Sequence, residues 1–95
     1  MKLIQHSSHL RLRLKIRKFP EHYPNEIYLK PEQSFFDIVE QRKIAIKRLK
    51  YKGRIRNIMI AYDESDNAVQ IVTIHPISDE KIVNRTITGR WIKHG

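Results

Sequence analysis

The chain has 95 residues, enough for one domain with a single modest core but too few for two. It contains no cysteine, which excludes disulfides and thiolate chemistry and is typical of an intracellular protein. No stretch approaches the roughly eighteen consecutive apolar residues of a membrane span, and the N-terminus lacks the apolar segment of a signal peptide. We therefore expect one cytoplasmic domain over residues 1–95, with no membrane contact.

Basic residues outnumber acidic ones by nineteen to ten, which gives a net charge of +9 and a calculated pI near 10.1. Six of them lie in residues 1–19 and eight in residues 42–56, and neither segment contains an acid. Such a chain is expected to attract polyanions, nucleic acid first and an acidic protein second. A densely charged, solvated surface would have the same composition, so charge alone names no function.

Residues 9–19, HLRLRLKIRKF, alternate apolar and basic side chains. On periodicity alone this pattern favours a strand with one apolar and one basic face. As a helix, the same segment aligns His9, Arg13 and Arg17 at i, i+4 and i+8, with Ser7 or Ser8 as the N-cap. The residues themselves leave both alternatives open.

The middle of the chain changes from a proline-rich segment to a series of strands. Pro20, Pro24 and Pro31 leave room for one short helix near residues 25–29. Strand patterns follow at 34–39, 43–51, 54–62 and 68–75, joined by the turns EQR, KG and DESDN. The consecutive apolar residues 58–61 indicate a central strand. The sequence predicts an α+β domain with N-terminal helices, a three- to four-stranded antiparallel meander sheet and a short C-terminal helix.

The stretch IVTIHPISDEKIVNRTITGRW, residues 71–91, places several candidate functional residues around one strand-to-helix corner. Residues 69–74 have the composition of a strand buried on both faces, and Pro76 ends it with His75 at the rim. Ser78 fits an N-cap and Gly89 a helix stop. The residues brought to this corner are His75, Arg85, Arg90 and Trp91.

The sequence contains no P-loop, G-x-S-x-G or H-E-x-x-H motif. The close pair His6 and His9 has no cysteine or acid beside it, so neither a metal site nor a cofactor is predicted. RNA cleavage by 2′-hydroxyl attack needs a base, an acid and cations around the phosphoryl oxygens. His75 and His9 are the candidate acid and base, and Trp91 or Tyr62 could stack a base. The candidate phosphate clamps are Arg13, Arg17, Arg85 and Arg90.

Each of these residues also has a structural interpretation. His75 would be a rim histidine bonded to a carbonyl, and Trp91 a cap on the core. Arg85 and Arg90 would be surface arginines paired with Asp79, Glu80 or Asp37. Basic strand residues would track a nucleic-acid backbone without chemistry, or protect an exposed sheet edge from aggregation; these are Lys43, Lys47, Arg54 and Arg56.

Three segments together resemble a family of small prokaryotic proteins of unknown function, which are themselves similar to the RelE-like or barnase-like ribonuclease toxins of toxin–antitoxin pairs. The segments are the opening His-x3-Arg-x3-Arg of His9, Arg13 and Arg17, the middle FFDIVEQRKIAIKRLKYKGRIRNIMIAYDE, and the closing TIHPISDEKIVNRTITGRW. The resemblance covers roughly residues 7–92 and is most specific in the closing segment. It implies a RelE-like fold of two N-terminal helices, the first over residues 8–18, a four-stranded sheet and a terminal helix. The segment FPEHYPNEIYLKP departs from the family pattern and would shorten the second helix.

The first expectation is therefore a toxin-like, metal-independent endoribonuclease that acts on RNA and is neutralised by an antitoxin-like partner. Its expected catalytic residues are His75, His9, Arg85 and Arg90. A second hypothesis is a basic module that binds RNA or DNA without cleaving it, and a third is a structural protein that meets an acidic partner. The residues expected to contact nucleic acid are Arg13, Arg17, Lys47, Arg54, Arg56 and Trp91.

Overall fold

The computed structural model describes residues 2–94, which form three helices and six strands. In chain order the elements are β1 (Leu3–His6), α1 (Ser8–Arg17), α2 (Tyr23–Leu29), β2 (Gln33–Asp37), β3 (Arg42–Tyr51), β4 (Arg54–Glu64), β5 (Ala68–Pro76), α3 (Asp79–Ile87) and β6 (Trp91–Lys93). The strands form one sheet in the order β1-β5-β4-β3-β2-β6. β1 runs parallel to β5, and the other neighbouring strands are antiparallel. The predicted α+β class is confirmed.

Within this described range, no helix is long and apolar enough to cross a membrane.

The predicted strand count is wrong, although the predicted meander is present as β2 to β5. Two short edge strands enlarge the sheet: β1 pairs with β5, and β6 pairs with β2. Each has four residues or fewer, too few to show an alternating pattern. Both pair with partners distant in sequence, so their formation depends on tertiary contacts.

Residues 8–17 form a helix, as the resemblance implies and against the alternating pattern. The side chain of Ser7 caps it by accepting the N–H of Leu10 at 3.0 Å, and its hydroxyl donates to the Val72 carbonyl at 2.9 Å. Leu10 and Leu14 are buried. Leu12 and Ile16 stay 54% and 67% exposed, so half of the alternating apolar residues never join the core.

The turns and helix ends follow the local signals in the sequence. Lys52 and Gly53 have φ values of 52° and 82°, the two positive angles that a tight two-residue hairpin requires. The hydroxyl of Ser78 accepts the N–H of Lys81 at 3.1 Å and caps α3, and Gly89 follows that helix with a φ of 79°. These predictions are confirmed.

The sheet carries an apolar core on each face. α1 and α2 cover the first face of the sheet. The core between them and the sheet includes Leu10 and Ile27 from the helices and Ile58, Ile60 and Ile71 from the strands. The core on the second face includes Phe35, Ile44, Met59 and Trp91 from the strands and Ile82 from α3. Residues 58–61 are all buried because successive residues of β4 point alternately into the two cores. The prediction that this strand is central is confirmed.

A β-bulge in β5 determines which side chains reach the second face. The pairing with β4 shifts so that Val72 has no partner, Thr73 lies opposite Ala61, and His75 lies opposite Met59. His75 therefore shares the face of Met59. The prediction that residues 69–74 are buried on both faces is wrong, since Gln70 is exposed. Thr73 and His75 lie on the second face of the sheet, where they line a groove.

The carboxylate of Glu64, at the end of β4, binds three side chains from different parts of the chain. It accepts hydrogen bonds from the Tyr28 hydroxyl at 2.6 Å and the Lys43 Nζ at 2.8 Å, and the Lys2 Nζ lies at 2.9 Å. The hydrogen bonds from Lys43, Tyr28 and Lys2 lower the pKa of Glu64 to about 2. Burial, together with the Glu64 charge, raises the pKa of Tyr28 to about 12.

The variant Glu64→Gln is expected to lose about 1–2 kcal/mol of unfolding free energy at neutral pH. Because the pKa of Glu64 is lower in the folded chain than its ordinary 4.5, its carboxylate stabilises the fold above pH 4.5. That contribution is lost as the pH falls toward 2. Urea unfolding of the wild type and the variant across this pH range measures the contribution of the carboxylate to the free energy of unfolding. A difference between the two proteins that stays constant throughout the range would contradict the assignment.

Candidate active site

A groove of about 430 Å³ lies on the second face of the sheet. Its apolar lining comes from the central strands and includes Ile44, Met59 and Ala61. Six residues singled out from the sequence line it as well, although they come from both ends of the chain: His9, Arg13, His75, Arg85, Arg90 and Trp91. Arg42 and Lys81 add two further cations, and Asp37 and Glu40 are the lining carboxylates. The groove is therefore apolar at its base and carries a net positive charge.

His75 is half-buried in this groove, and its Nδ1 lies 3.2 Å from the carbonyl oxygen of Pro76. A carbonyl only accepts, so Nδ1 carries the proton in this contact and Nε2 of the neutral ring can accept one. Burial lowers the pKa of His75 from its ordinary value, and the charges of Arg17, Arg13 and Lys81 lower it further, against the effect of the Pro76 carbonyl. A neutral imidazole with an available Nε2 has the properties of a general base.

The row of His9, Arg13 and Arg17 lies on one face of α1, as the resemblance implies. His9 is exposed, and the Arg13 Nε donates to its Nε2 at 3.4 Å. Arg17 does not line the groove, but its charge contributes to the lowered pKa of His75. α1 thus brings a second imidazole and two guanidinium groups beside the end of β5.

Asp37 is a residue of this site that the sequence indicated only as a partner for an arginine. It is 3% exposed, and its carboxylate accepts hydrogen bonds from the backbone N–H groups of Val39 and Glu40 at 2.9 and 3.1 Å. It also accepts from the Arg90 Nε at 3.2 Å and the Trp91 Nε1 at 3.0 Å. Burial raises the pKa of Asp37, but the bonds from Arg90, Glu40, Trp91 and Val39 outweigh it and lower the pKa overall. The carboxylate thus links the end of β2 to the start of β6.

A local signal for Asp37 is present in the sequence. It follows the apolar pair FF and precedes a polar turn, and an aspartate in that position commonly accepts backbone N–H groups of the turn. The contacts with Val39 and Glu40 are of this kind. The contacts with Arg90 and Trp91 join residues more than fifty positions apart, so no local pattern shows them.

Arg85 and Arg90 are both half-buried at the groove, but they differ in their partners. Arg90 has its Nε on Asp37, and its Nη2 lies 3.8 Å from the exposed carboxylate of Glu40. The Nε of Arg85 is buried and has no hydrogen-bond partner among residues 2–94. Its guanidinium carbon lies 5.9 Å from the centre of the Trp91 ring. The pairing predicted as an alternative for Arg90 is therefore present.

Trp91 and Tyr62 were both expected to stack a nucleotide base, but both rings are buried. The Trp91 ring stacks on Phe35 with centroids 5.3 Å apart, and Arg85 lies over it. Tyr62 belongs to the core on the other face of the sheet and meets the Tyr28 ring edge-on. The structural interpretation, a cap on the core, fits Trp91 better than the stacking of a nucleotide base.

The remaining expected contacts lie outside this groove. The Lys47 Nζ donates to the Lys30 carbonyl at 3.0 Å. Arg54 and Arg56 line a neighbouring groove at the start of β4. In the described part of the chain, no three histidine, aspartate or glutamate side chains come together as metal ligands would.

Comparison of the chain with protein-family models, curated proteins and solved structures gives no significant match. The resemblance to toxin-like ribonucleases therefore stays a prediction. The functional hypothesis rests on the chemistry of the groove and on the charge of the chain.

Proposed function

We propose that this protein is an endoribonuclease that cleaves RNA by 2′-hydroxyl attack, without a metal ion, in the groove of His75. The observation that supports this most directly is that two histidines and three arginines from distant parts of the chain line one groove: His9, Arg13, His75, Arg85 and Arg90. That combination supplies a base, an acid and several cations, which are the groups that the reaction needs.

His75 acts as the general base. Its Nε2 takes the proton of the 2′-hydroxyl as the oxygen attacks the adjacent phosphorus. A bond forms between the 2′-oxygen and phosphorus, and the bond from phosphorus to the 5′-oxygen of the next nucleotide breaks. The products are a 2′,3′-cyclic phosphate and a 5′-hydroxyl. Burial, and less strongly the neighbouring cations, lower the pKa of His75 and favour the neutral ring near pH 7, so the base is ready before the substrate arrives.

His9 is the acid that protonates the leaving 5′-oxygen. It is exposed at the groove, so it exchanges protons with solvent between turnovers. Its contact with the Arg13 Nε, 3.4 Å long, is at the weak end of the hydrogen-bond range. To act as the acid, His9 carries a proton on Nε2 in place of that contact, and Arg13 then turns to the phosphate.

Arg85 and Arg90 stabilise the charge that develops on the phosphoryl oxygens. Asp37 orients Arg90 through its Nε, and the terminal nitrogens, whose nearest carboxylate is the exposed Glu40 at 3.8 Å, can donate to the substrate. The buried Arg85 Nε lacks an acceptor within the described residues, and a phosphoryl oxygen would supply one. In this role both arginines are half-buried donors, and hydrogen bonds from such groups are stronger than those made in open solvent.

The resemblance adds a biological setting to this chemistry. A toxin-like ribonuclease of a prokaryotic cytoplasm is harmful unless a partner covers its site. The net charge of +9 favours an acidic antitoxin-like protein in that role.

The test is incubation of the purified protein with end-labelled mixed RNA in EDTA, at low and at moderate salt. Cleavage that leaves cyclic phosphate and 5′-hydroxyl ends is the expected result. Intact RNA retained in a salt-dependent manner would replace the proposal with a non-catalytic binding module. If RNA is neither cut nor retained, the proposal fails and a structural role with an acidic protein partner takes its place.

The cleavage rate is expected to fall on the acid side with a midpoint below pH 6.5, the ordinary pKa of histidine. Protonation of His75 removes the base, and its lowered pKa moves that event to lower pH. Initial rates of kcat/KM between about pH 4.5 and 8 measure the midpoint. An acid limb centred clearly above pH 6.5 would contradict the assignment of His75 as the base.

A further inference from the structure

A second groove, of about 600 Å³, lies next to the first. Three arginines of the β3–β4 hairpin line it, together with residues of the β5–α3 corner: Arg48, Arg54 and Arg56. β5 ends at Pro76, which lies opposite Ile58, so residues 54–57 of β4 extend beyond the last paired residue of β5. The arginines therefore surround an open end of the sheet.

The positive charge of this groove is not compensated within the described chain. None of the three guanidinium groups forms a salt bridge among residues 2–94. Asp79 is the acid that lines the groove, and its Oδ1 accepts from the Asn57 Nδ2 at 2.6 Å. Three cations thus face one carboxylate that already has a partner.

Arg56 carries the more specific signal. Its Nε is buried, and no hydrogen-bond acceptor for it lies within residues 2–94. A buried donor of this kind destabilises the fold unless something accepts its hydrogen bond. In the described chain the two buried side-chain nitrogens in this condition are Arg56 Nε and Arg85 Nε, one in each groove. Guanidinium groups match the oxygens of a phosphodiester in charge and geometry.

The two grooves share one lining residue. Ile77 lines both of them, and it lies two residues after His75. A nucleic-acid strand that leaves the His75 groove across Ile77 would therefore meet the three arginines.

We infer that the second groove binds phosphates of the RNA strand that is cut at His75, and that the substrate is a single strand of several nucleotides spanning both grooves. The inference rests on the proposed function for the site of cleavage, but the binding that it predicts is measured without cleavage. Each phosphate bound by an arginine releases counterions, so the affinity falls with rising salt concentration, with a slope set by the number of such contacts.

The test uses 2′-O-methyl RNA, which cannot be cleaved, in lengths of about two, four and eight nucleotides. The two longer lengths fall within the range of about 4–16 nucleotides that single-strand-binding grooves cover. The double variant Arg48→Gln/Arg54→Gln alters two exposed side chains and should fold normally. Fluorescence anisotropy is expected to show wild-type affinity rising with length. The variant should bind the longest strand roughly tenfold or more weakly near 0.1 M salt, with a salt slope smaller by about 1.4. The shortest strand should bind both proteins alike.

The matched control is Arg11→Gln/Lys50→Gln, which removes the same charge from exposed residues that line neither groove. Equal losses in the two double variants would overturn the inference, because generic surface charge would then explain the binding. Wild-type affinity that does not rise with length would also overturn it. The variant Arg56→Lys keeps the charge but lacks an Nε. We expect it to weaken binding of the longest strand severalfold without lowering the melting temperature, because the unpaired donor is removed.

Cleavage assays on unmodified RNA separate the two proposals. If the wild type binds strands in the length-dependent manner described but does not cut RNA, the proposed function fails and the second groove stands. If the wild type cuts RNA and Arg48→Gln/Arg54→Gln cuts and binds long strands equally well, the second groove fails and the proposed function stands.

Discussion

The variant His75→Ala is expected to cleave RNA about 10²–10⁴-fold more slowly than the wild type, with RNA binding and fold retained. The general base disappears, while the arginines of the groove remain. The half-buried ring is hydrogen-bonded to the neighbouring Pro76 carbonyl and does not belong to either apolar core. Its loss should therefore change the melting temperature little. Single-turnover cleavage rates, melting temperature and affinity for uncleavable RNA are the three measurements.

The control is His22→Ala, which removes an exposed imidazole outside the groove. It should cleave at the wild-type rate. Added imidazole should partly restore cleavage by His75→Ala, because a free base can occupy the space left by the side chain. A His75→Ala protein that cleaves as fast as the His22→Ala control would remove His75 from the mechanism.

The variant Asp37→Asn is expected to lower the free energy of unfolding by about 2–4 kcal/mol. An amide has one acceptor oxygen where the carboxylate has two, and its NH₂ group would face the donors of Arg90 or Trp91. The half-buried guanidinium of Arg90 would also lose its closest negative charge. For a chain of 95 residues, each kcal/mol corresponds to roughly 4–8 °C in melting temperature.

Asp63→Asn is the matched control, since Asp63 makes the same kind of pair with Arg42 at 3.3 Å but is about half exposed. An exposed pair contributes little, so this variant should lose less than about 1 kcal/mol. Equal stabilities of the two variants would contradict the structural role of Asp37. Assayed well below its melting temperature, Asp37→Asn should also lower kcat, because the side chain that aligns Arg90 has changed. Unchanged kcat there would mean that Asp37 serves stability alone.

The sequence alone predicted the elements whose signals are local. The Lys52-Gly53 hairpin requires two positive φ angles, and these residues adopt them. Ser78 marks the start of α3 because its side chain accepts a backbone N–H of the first turn. Gly89 marks the end because it adopts the positive φ that stops the helix. The meander follows from period-two alternation and short polar turns. The candidate side chains of the groove could also be selected by residue type, as His75 and the arginines were.

Residues 8–17 are a helix although their alternation favours a strand. The helix buries Leu10 and Leu14 against β5 and leaves Leu12 exposed, so contacts with the sheet outweigh the local pattern. β1 and β6 are strands only because β5 and β2 offer them unpaired edges. The bulge at Val72 likewise depends on pairing with β4 and aligns His75 with Met59.

Asp37 shows the same division within the candidate site. Its turn contacts are local and could be read from the sequence, whereas its bonds to Arg90 and Trp91 exist because β6 pairs with β2. Periodicity, capping and turn chemistry act over a few residues, so the sequence by itself determined the hairpin, the caps and the candidate side chains. Only the tertiary structure decided which of those side chains share a groove, because residues distant in sequence meet when both faces of one sheet are buried.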